Sequence, residues 1–427
     1  MMPISPTLLL YTLSAVAGVL LVLANAWLYE NRRYNRKRST ESCPHLERLP
    51  HATVIIPCLD YAPGLRDNIE SYLRQDYSNF EVIFVVRDRN DRVANVVKSI
   101  IDENRFLRLK MTVSAQIPTS SHVLETWLTG VGASAMESSV FAFGSSDVKV
   151  NSGWLRWILH GLSDTSVGVV TGALWCDVRH HKTGNRLKSV LQNTFSSFFG
   201  PGRQYQLCSK SWGVRRDVFE QAELKTVWQQ AIDESWSTLG AILSARLQVR
   251  YEPQCRATTT IETSSKRSLR ELFRRNVVER IHTPGLTHSV NATLLITQCA
   301  YWATLVATIQ SAMAMEWMAW VWGSINVALF ALGAYRAVLK YQIAKLHVGD
   351  WNQARRLRQI EAFTWPFLDA LYLGSRFAAL FTNSINWNGF RYRLSRDGSG
   401  RLVGRSLRLH HGEATDVANE KNESRAA

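Results

Sequence analysis

The sequence lacks several short patterns that identify common cofactor and metal sites. It contains neither G-x-G-x-x-G nor G-x-x-x-x-G-K-S/T, so a classical dinucleotide site or P-loop is not expected. No cysteine belongs to a C-x-x-C pair or lies near spaced histidines, although six are scattered along the chain: Cys43, Cys58, Cys176, Cys208, Cys255 and Cys299. We therefore expect reduced packing cysteines in a cytosolic compartment, without a disulfide framework or a zinc site.

Acidic residues are in the minority, with 35 aspartates and glutamates against 50 lysines and arginines, and the net charge is +15. Most of the basic excess lies in clusters beside apolar segments, and no nucleic-acid-binding motif accompanies it. We therefore expect a membrane partner and no nucleic acid. The 427 residues exceed the ~250–300 at which single cores stop growing, so two or three structural units are predicted.

The first apolar segment, residues 7–28, carries no charge and is long enough to cross a hydrocarbon core of ~30 Å. A cleaved signal peptide is the alternative, because A-N-A at 24–26 resembles a processing site. However, a basic region before the segment is missing, and five basic residues between 32 and 38 are typical of a stop-transfer flank. We predict a retained anchor over residues 1–30 and a basic juxtamembrane linker over 31–49, with the chain that follows in the cytosol.

A second apolar zone, residues 289–335, contains one charged residue, Glu316. Its length predicts two crossings joined by a short turn, so that residues 289–338 form a transmembrane hairpin. A helical hairpin in the core of a soluble protein is the alternative, but segments this long and this free of charge are rare there.

Residues 362–381 have a different pattern, because Asp369 and Arg376 are seven residues apart and share one helical face. This pattern favours an amphipathic helix lying in the membrane interface over a spanning one. Residues 339–411 are thus predicted to hold a basic loop, this interfacial helix and a basic tail. We expect residues 412–427 to be a disordered polar end.

The middle of the chain, residues 50–288, alternates apolar runs with helical patterns. Apolar runs at 52–57 and 80–86 flank a helix-like segment, which is the spacing of a βαβ unit with a parallel sheet covered on both faces. Later candidate strands are residues 139–146 and 166–175. An α/β domain of the nucleotide-binding type is predicted.

Acidic residues follow three of these strands: Asp60, Asp88 and Asp147. Each alone would be read as a turn or helix-capping residue. Ligands of open parallel sheets, however, bind outside the carboxyl ends of the strands. Three acidic strand ends in a domain of net positive charge therefore predict a binding site at this edge.

Several longer stretches carry a family resemblance: ATVIIPCLDYAPGLRDNIESYLRQDYSNFEVIFVVRDRND, VTGALW, SWGVRRDVFE and SINWNGFRYRL. In this order and spacing they resemble family 2 glycosyltransferases of the GT-A fold, especially the membrane-bound branch that includes ceramide glucosyltransferase and hopanoid-related glycosyltransferases. The resemblance implies an α/β domain with a mixed, mainly parallel sheet. It also implies an inverting, metal-dependent transfer of sugar from a nucleotide-diphosphate sugar, a UDP-sugar, to a lipid acceptor in the bilayer.

The resemblance also implies roles for individual residues. Asp60 and Asp88 would contact the nucleotide base and ribose of the donor. Asp147 would be the second aspartate of the D-x-D motif and would hold Mg²⁺ or Mn²⁺ against the donor diphosphate. Asp233 and Glu234, an acidic pair opening a helix, would supply the general base that activates the acceptor.

Two positions depart from the family pattern. Ser145 stands where the family usually has aspartate; its hydroxyl is able to hydrogen-bond a ribose or a metal-bound water, but it brings no charge, so weaker cation binding is expected. At the acidic pair, one alignment places Glu234 at the catalytic base, whereas matching the following I-L-S-A-R-L-Q-V without gaps places Ser235 there.

The Q-x-x-R-W region of the family is also altered, and Arg275, Asn276 and Arg280 are its remnants. Arg275 and Arg280 would bind the diphosphate; for Arg274 and Arg275, contact with anionic lipid is an equal alternative. These departures leave a second hypothesis, a glycosyltransferase-like pseudoenzyme or membrane scaffold whose catalysis is lost or changed.

Overall fold

A computed structural model describes the chain over residues 5–42, 46, 49–61, 64–114, 122–178, 183–202, 204, 206–261, 266–346, 351–387, 390–395 and 400–405. The predicted disordered end, residues 412–427, lies outside these ranges, and so does Cys43. The other five cysteines are free thiols, of which four are buried and Cys299 is exposed.

The described chain forms thirteen α-helices, separated by strands and loops. They are α1 (Pro6–Ser39), α2 (Leu65–Leu73), α3 (Arg92–Glu103), α4 (His122–Gly132), α5 (Trp154–Leu162), α6 (Thr183–Ser196), α7 (Arg216–Gln221), α8 (Leu224–Gln230), α9 (Glu234–Ser244), α10 (Lys266–His282), α11 (Pro284–Met313), α12 (Met318–Lys345) and α13 (Trp351–Leu380).

Twelve strands are described. They are β1 (Ala52–Cys58), β2 (Phe80–Val86), β3 (Leu109–Val113), β4 (Val140–Phe143), β5 (Val167–Thr171), β6 (Leu174–Val178), β7 (Trp212–Arg215), β8 (Gln248–Tyr251), β9 (Ala257–Ile261), β10 (Ser384–Trp387), β11 (Phe390–Leu394) and β12 (Gly400–Arg405). The main sheet has the order β3-β2-β1-β4-β7-β5-β8, while β6 pairs with β9 and the last three strands form a small separate sheet.

The main sheet is mixed and mainly parallel, as predicted. Strands β3, β2, β1 and β4 are parallel neighbours, and β5 is parallel to β8. Strand β7 runs antiparallel to both β4 and β5, between which it lies. Every residue of β1 and β2 is buried, because helices cover both faces of the sheet, and this explains their continuous apolar runs.

Successive residues of the strands point to opposite faces of the sheet and pack into two separate hydrophobic cores. On one face Val54 and Ile56 of β1 pack with residues of α2, α3 and α5; on the other Ile55 packs with an aromatic cluster that includes Trp127 and Trp212. The ring of Trp212 is fully buried and stacks on Phe143 at a centroid distance of 4.3 Å. Trp212 is thus a core residue.

Three described helices are long and apolar enough to cross a membrane: α1, α11 from His288 onward, and α12. They correspond to the anchor and the hairpin predicted from the sequence, and α11 and α12 are joined by a turn at Glu316. The protein is therefore an integral membrane protein.

Helix α1 continues through the basic stretch that the sequence placed in a linker and ends at Ser39. Its second half packs on the sheet domain: Asn31 donates to the carbonyl of Ser197 (3.0 Å), Tyr34 donates to the carbonyl of Tyr251 (2.9 Å), and Arg38 forms an ion pair with Glu252. These contacts make the helix a continuous connection between the membrane segment and the sheet.

Helix α13 includes residues 362–380 of the predicted interfacial segment, in which the charged residues face the protein, whereas Arg355, Arg356 and Gln359 earlier in the helix are exposed. Arg376 is buried in an ion pair with Glu279 of α10 (3.1 Å), and Asp369 pairs with Arg336 of α12 (2.6 Å). The outward face instead carries exposed aromatic rings, those of Phe363, Phe367, Phe377 and Phe381. An outward apolar face is what a helix in contact with lipid requires.

Candidate active site

The acidic residues after β1 and β2 lie at the carboxyl edge of the sheet and are open to solvent. Asp60 is 3.7 Å from the guanidinium of Arg87, and Asp88 accepts a hydrogen bond from the backbone N–H of Asn90 (2.9 Å). Because β1 and β2 are neighbours, both carboxylates are presented at the same edge.

The segment that follows β4 is held tightly against the same edge. A Cβ atom on Gly144 would lie 2.6 Å from the ring of Tyr72, so only glycine fits there. The Tyr72 hydroxyl accepts from the N–H of Ser145 (3.0 Å), and Thr259 donates to the carbonyl of Asp147 (2.7 Å). The segment therefore has a fixed conformation that presents two side chains, those of Ser145 and Asp147.

Both oxygens of the Asp147 carboxylate have partners. The hydroxyl of Ser145 donates to Oδ1 (2.6 Å), and the ammonium of Lys210 forms an ion pair with Oδ2. Burial by itself would raise the pKa of Asp147, but the charge of Lys210 and the hydrogen bonds from Lys210 and Ser145 outweigh it, and the net shift is downward. The pKa of Lys210 is raised, because the Asp147 charge outweighs the opposing effect of burial.

A divalent cation would find one aspartate here. Among the described residues no group of three histidines, cysteines or acids is close enough to bind a metal. Mg²⁺ commonly uses only one or two carboxylates together with substrate phosphates and water. The residues thus fit a cation that is held mainly by the donor diphosphate and has Asp147 as its protein ligand. For the cation to bind, the ion pair between Lys210 and the Asp147 carboxylate would have to break.

The acidic pair opens helix α9, as predicted. Asp233 is its N-cap: Oδ1 accepts from the N–H groups of Ser235 and Trp236, both at 3.0 Å, and Oδ2 lies 3.4 Å from Arg274. Glu234 is the first helical residue and is buried. Most of the hydrogen-bonding capacity of Asp233 is therefore used in the fold.

A cavity of about 420 Å³ brings together three of the predicted site residues, Asp233, Glu234 and Arg275, and we call it the central cavity. The charged and polar residues of its lining are Lys188, Gln192, Ser196, Gln206, Ser209, Lys210, Asp233, Glu234, Ser235, Arg274 and Arg275. Through Lys210 the cavity adjoins Asp147 and Ser145. Asp60 and Asp88 are not part of the lining and lie at the neighbouring strand ends.

The two arginines expected at the diphosphate are separated. Arg275 lines the central cavity, where its guanidinium donates to Gln206 (3.1 Å) and lies 3.5 Å from the centre of the Phe195 ring. Arg280 donates instead to Thr382 and Asn383, at 3.0 and 2.6 Å, just after α13. Arg280 thus holds α10 to the end of α13 and is not among the residues lining the cavity.

Lys210 is the functional candidate that the sequence analysis missed. Its position follows from the antiparallel pairing of β4 with β7, in which Phe143 lies opposite Trp212. In such a pair the residues after one strand meet the residues before the other. Recognising W-G-V-R at 212–215 as an antiparallel strand would have placed Lys210 beside Asp147.

Comparisons with known proteins give one family and several distant structures. Mannosyltransferase PcManGT from Pyrobaculum calidifontis, solved with GDP-Man and Mn²⁺, is 14% identical, with a TM-score of 0.45 over 86% of this chain and 99% of that chain. GalNAc-T7, solved with UDP, GalNAc and Mn²⁺, is 9% identical, with a TM-score of 0.40 over 53% of this chain and 47% of that chain. No curated protein matches the sequence.

The family match covers nearly the whole chain. Residues 8–400 fit the profile described as glycosyl transferase family 21. The prediction of a membrane glycosyltransferase is thereby confirmed, with family 21 where the sequence resemblance suggested the membrane-bound branch of family 2. The mixed, mainly parallel sheet is the one that the resemblance implied. The chain belongs to glycosyl transferase family 21.

Proposed function

We propose that the protein transfers a sugar from a nucleotide-diphosphate sugar, a UDP-sugar, to the hydroxyl of a membrane lipid, with inversion at the sugar carbon. The observation that carries the proposal is the composition of the central cavity. It combines a buried glutamate with Lys210, Arg274 and Arg275 at the carboxyl edge of the sheet. An acid for the acceptor and cations for a diphosphate are the two requirements of this reaction.

The donor would lie along the carboxyl edge. Asp60 and Asp88 would bind the nucleoside, with their carboxylates accepting hydrogen bonds from the base and ribose. Lys210 and Arg275 would bind the diphosphate, which carries negative charge that increases as the sugar–oxygen bond breaks. Bound Mg²⁺ or Mn²⁺ would neutralise part of this charge, with Asp147 as its protein ligand.

Glu234 is the residue that we assign as general base. The carboxylate of Asp233 is occupied by the cap of α9 and by Arg274, whereas Glu234 lines the cavity without a capping role. Glu234 would take the proton of the lipid hydroxyl as its oxygen attacks the sugar carbon. The bond to the diphosphate breaks on the opposite face, so a single displacement inverts the configuration.

The proposed orientation places the sheet domain in the cytosol. The five basic residues at 32–38 directly follow the charge-free part of α1, and basic flanks are retained on the cytosolic side. Cytosolic nucleotide sugars would then reach the edge of the sheet directly.

Donor binding and hydrolysis by protein purified in detergent test this proposal, with UDP-glucose and related donors, with and without Mn²⁺. Glu234→Gln should bind donor normally and lose transfer by at least a hundredfold, while Glu220→Gln, an exposed acid on α7, should behave as wild type. Asp147→Ala should weaken donor binding only when metal is present.

Other outcomes would identify a different protein. Absence of donor binding by the wild type would rule out the enzyme and leave a membrane scaffold. Turnover that appears only after Ser145→Asp would identify a transferase that has lost its activity through that serine.

A further inference from the structure

We propose that the acceptor lipid binds in a second cavity, between α1, α6, α12 and α13, that shares a wall with the central cavity. This inference rests on the proposed sugar transfer. We call it the lateral cavity; it measures about 140 Å³ and its lining includes Ala24, Trp27, Leu191, Phe195, Trp365 and Tyr372. It is smaller than the ~300–1,000 Å³ that enclose a drug-sized ligand. It therefore has room for part of a lipid, and the remaining chains would stay in the bilayer.

The lateral cavity lies where the membrane helices meet the sheet domain. Ala24 and Trp27 belong to the last turns of the apolar part of α1, and Asn31, one turn later, already bonds to the sheet domain through Ser197. Trp27 and Phe198 are both half-exposed, and their ring centres are 5.7 Å apart. Aromatic side chains of this kind are typical of the membrane–water boundary, the depth at which a lipid hydroxyl lies.

One side of the lateral cavity is apolar and the other carries two ion pairs. Arg336 pairs with Asp369 at 2.6 Å, and the buried Lys340 pairs with Glu361 at 2.8 Å and donates to Thr194. Each pair is neutral as a whole, so the cavity offers hydrogen-bonding groups without net charge. That combination suits the uncharged polar neck of a hydroxyl-bearing lipid better than a lipid phosphate.

Two side chains of α6 form the wall between the two cavities. Phe195 and Leu191 line both of them. The ring of Phe195 has the guanidinium of Arg275 at 3.5 Å on the central side and the ring of Tyr372 at 6.0 Å on the lateral side. A rotation of Phe195 would therefore connect the membrane boundary with the cavity that contains Glu234.

Filling the lateral cavity tests the proposal. Ala24→Trp places a large ring in it, and Ala26→Trp, on an exposed position of the same helix, is the matched control. Donor binding, donor hydrolysis and transfer to ceramide or diacylglycerol in phosphatidylcholine vesicles are measured for each. Ala24→Trp should raise the KM for lipid at least tenfold and leave donor affinity and hydrolysis unchanged, whereas Ala26→Trp should change none of them.

Photolabelling of the wild-type protein keeps the test independent of how the variant folds. Ceramide and diacylglycerol with a diazirine near the headgroup should label peptides 24–28 or 190–198. Normal lipid transfer by Ala24→Trp, or labelling confined to other helices, would contradict lipid binding in the lateral cavity. If the wild type still hydrolysed the donor, the proposed function would be unaffected. Labelling there by a polyprenyl phosphate in preference to the neutral lipids would overturn the assigned lipid class. Loss of donor binding and hydrolysis in the wild type would instead remove the proposed function itself.

Discussion

Helices α3 and α13 are both amphipathic, but they use opposite faces. Helix α3 buries Val93, Val97 and Ile100 against the sheet and leaves Asp102 in water. Over residues 362–380, helix α13 turns charged residues such as Arg376 toward the protein and exposes phenylalanines. The difference agrees with the prediction that residues 362–380 of α13 lie against an apolar medium, which would favour such an arrangement.

The largest predicted effect comes from breaking a charge pair on the inner face of α13. Arg376→Met leaves Glu279 buried without its cation, which should destabilise the protein by about 3–5 kcal/mol. Arg105→Met removes an exposed arginine 3.8 Å from Asp102, just after α3, and should change stability by less than about 1 kcal/mol. Unfolding of the detergent-solubilised variants measures both. Equal stability of the two variants would contradict the comparison.

A smaller effect is expected from an exposed phenylalanine of each region. Phe363→Ser on α13 removes an exposed ring whose contact with lipid would stabilise the protein by about 1.5–3 kcal/mol, so hydrogen exchange of α13 in nanodiscs should become faster. Phe106→Ser, which removes a still more exposed ring in the sheet domain, has no lipid contact to lose and should leave hydrogen exchange of its own segment unchanged. The same exchange rates in both variants would mean that α13 faces water.

The Lys210–Asp147 ion pair should differ from the ion pairs of α13, because its loss is expected to affect ligand binding more than stability. Lys210→Met removes a cation from the diphosphate, so donor affinity measured with a chelator should fall about tenfold, or 1.4 kcal/mol. It also frees Asp147, so the apparent affinity for Mn²⁺ should rise. Lys225→Met, at an exposed position on α8, is the control.

The same variant should change the pH dependence of metal binding in a defined direction. In the wild type the pKa of Asp147 is lowered, so the carboxylate stays ionised well into the acid range. Without Lys210 the effect of burial remains and the main lowering charge is gone, so the pKa rises. Titrating Mn²⁺ binding against pH should show loss at a higher pH in Lys210→Met, and an unchanged curve would contradict the competition between metal and lysine.

The smallest effect is expected at Tyr72. Tyr72→Phe removes the oxygen that accepts the N–H of Ser145 and should cost about 1 kcal/mol in unfolding free energy. Since the hydroxyl holds the segment before Asp147, the free energy of Mn²⁺ binding should weaken by a similar amount, about 1 kcal/mol. A stable variant with normal metal affinity would show that Gly144 and Thr259 suffice to fix the segment.

Much of the fold could be predicted because its signals are local. The apolar runs of β1 and β2 are typical of strands covered on both faces, and the acids after them follow directly in sequence. The acidic pair at 233–234 was also found correctly at the start of a helix, since aspartate is a common N-cap.

Contacts between distant segments could not be predicted in the same way. Lys210 reaches Asp147 only because β7 inserts antiparallel between β4 and β5, and no local pattern gives that order. The role of Arg280 was hidden because its partners, Thr382 and Asn383, lie about a hundred residues away, beyond the end of α13. For α13, periodicity gives two faces but not the medium that each one meets.

Helix α1 also has a consequence for the product. Its 34 residues span about 51 Å without a break, and its second half is bonded to the sheet domain. In the proposed reaction this helix would set the distance between the bilayer and Glu234. A lipid hydroxyl at the membrane boundary lies within this reach. The hydroxyls of a transferred sugar would lie farther from the bilayer than the lipid hydroxyl did. Because α1 is a rigid helix, Glu234 would not move outward to reach them. We therefore expect the chain length of the product to be limited to one sugar by the length of a helix.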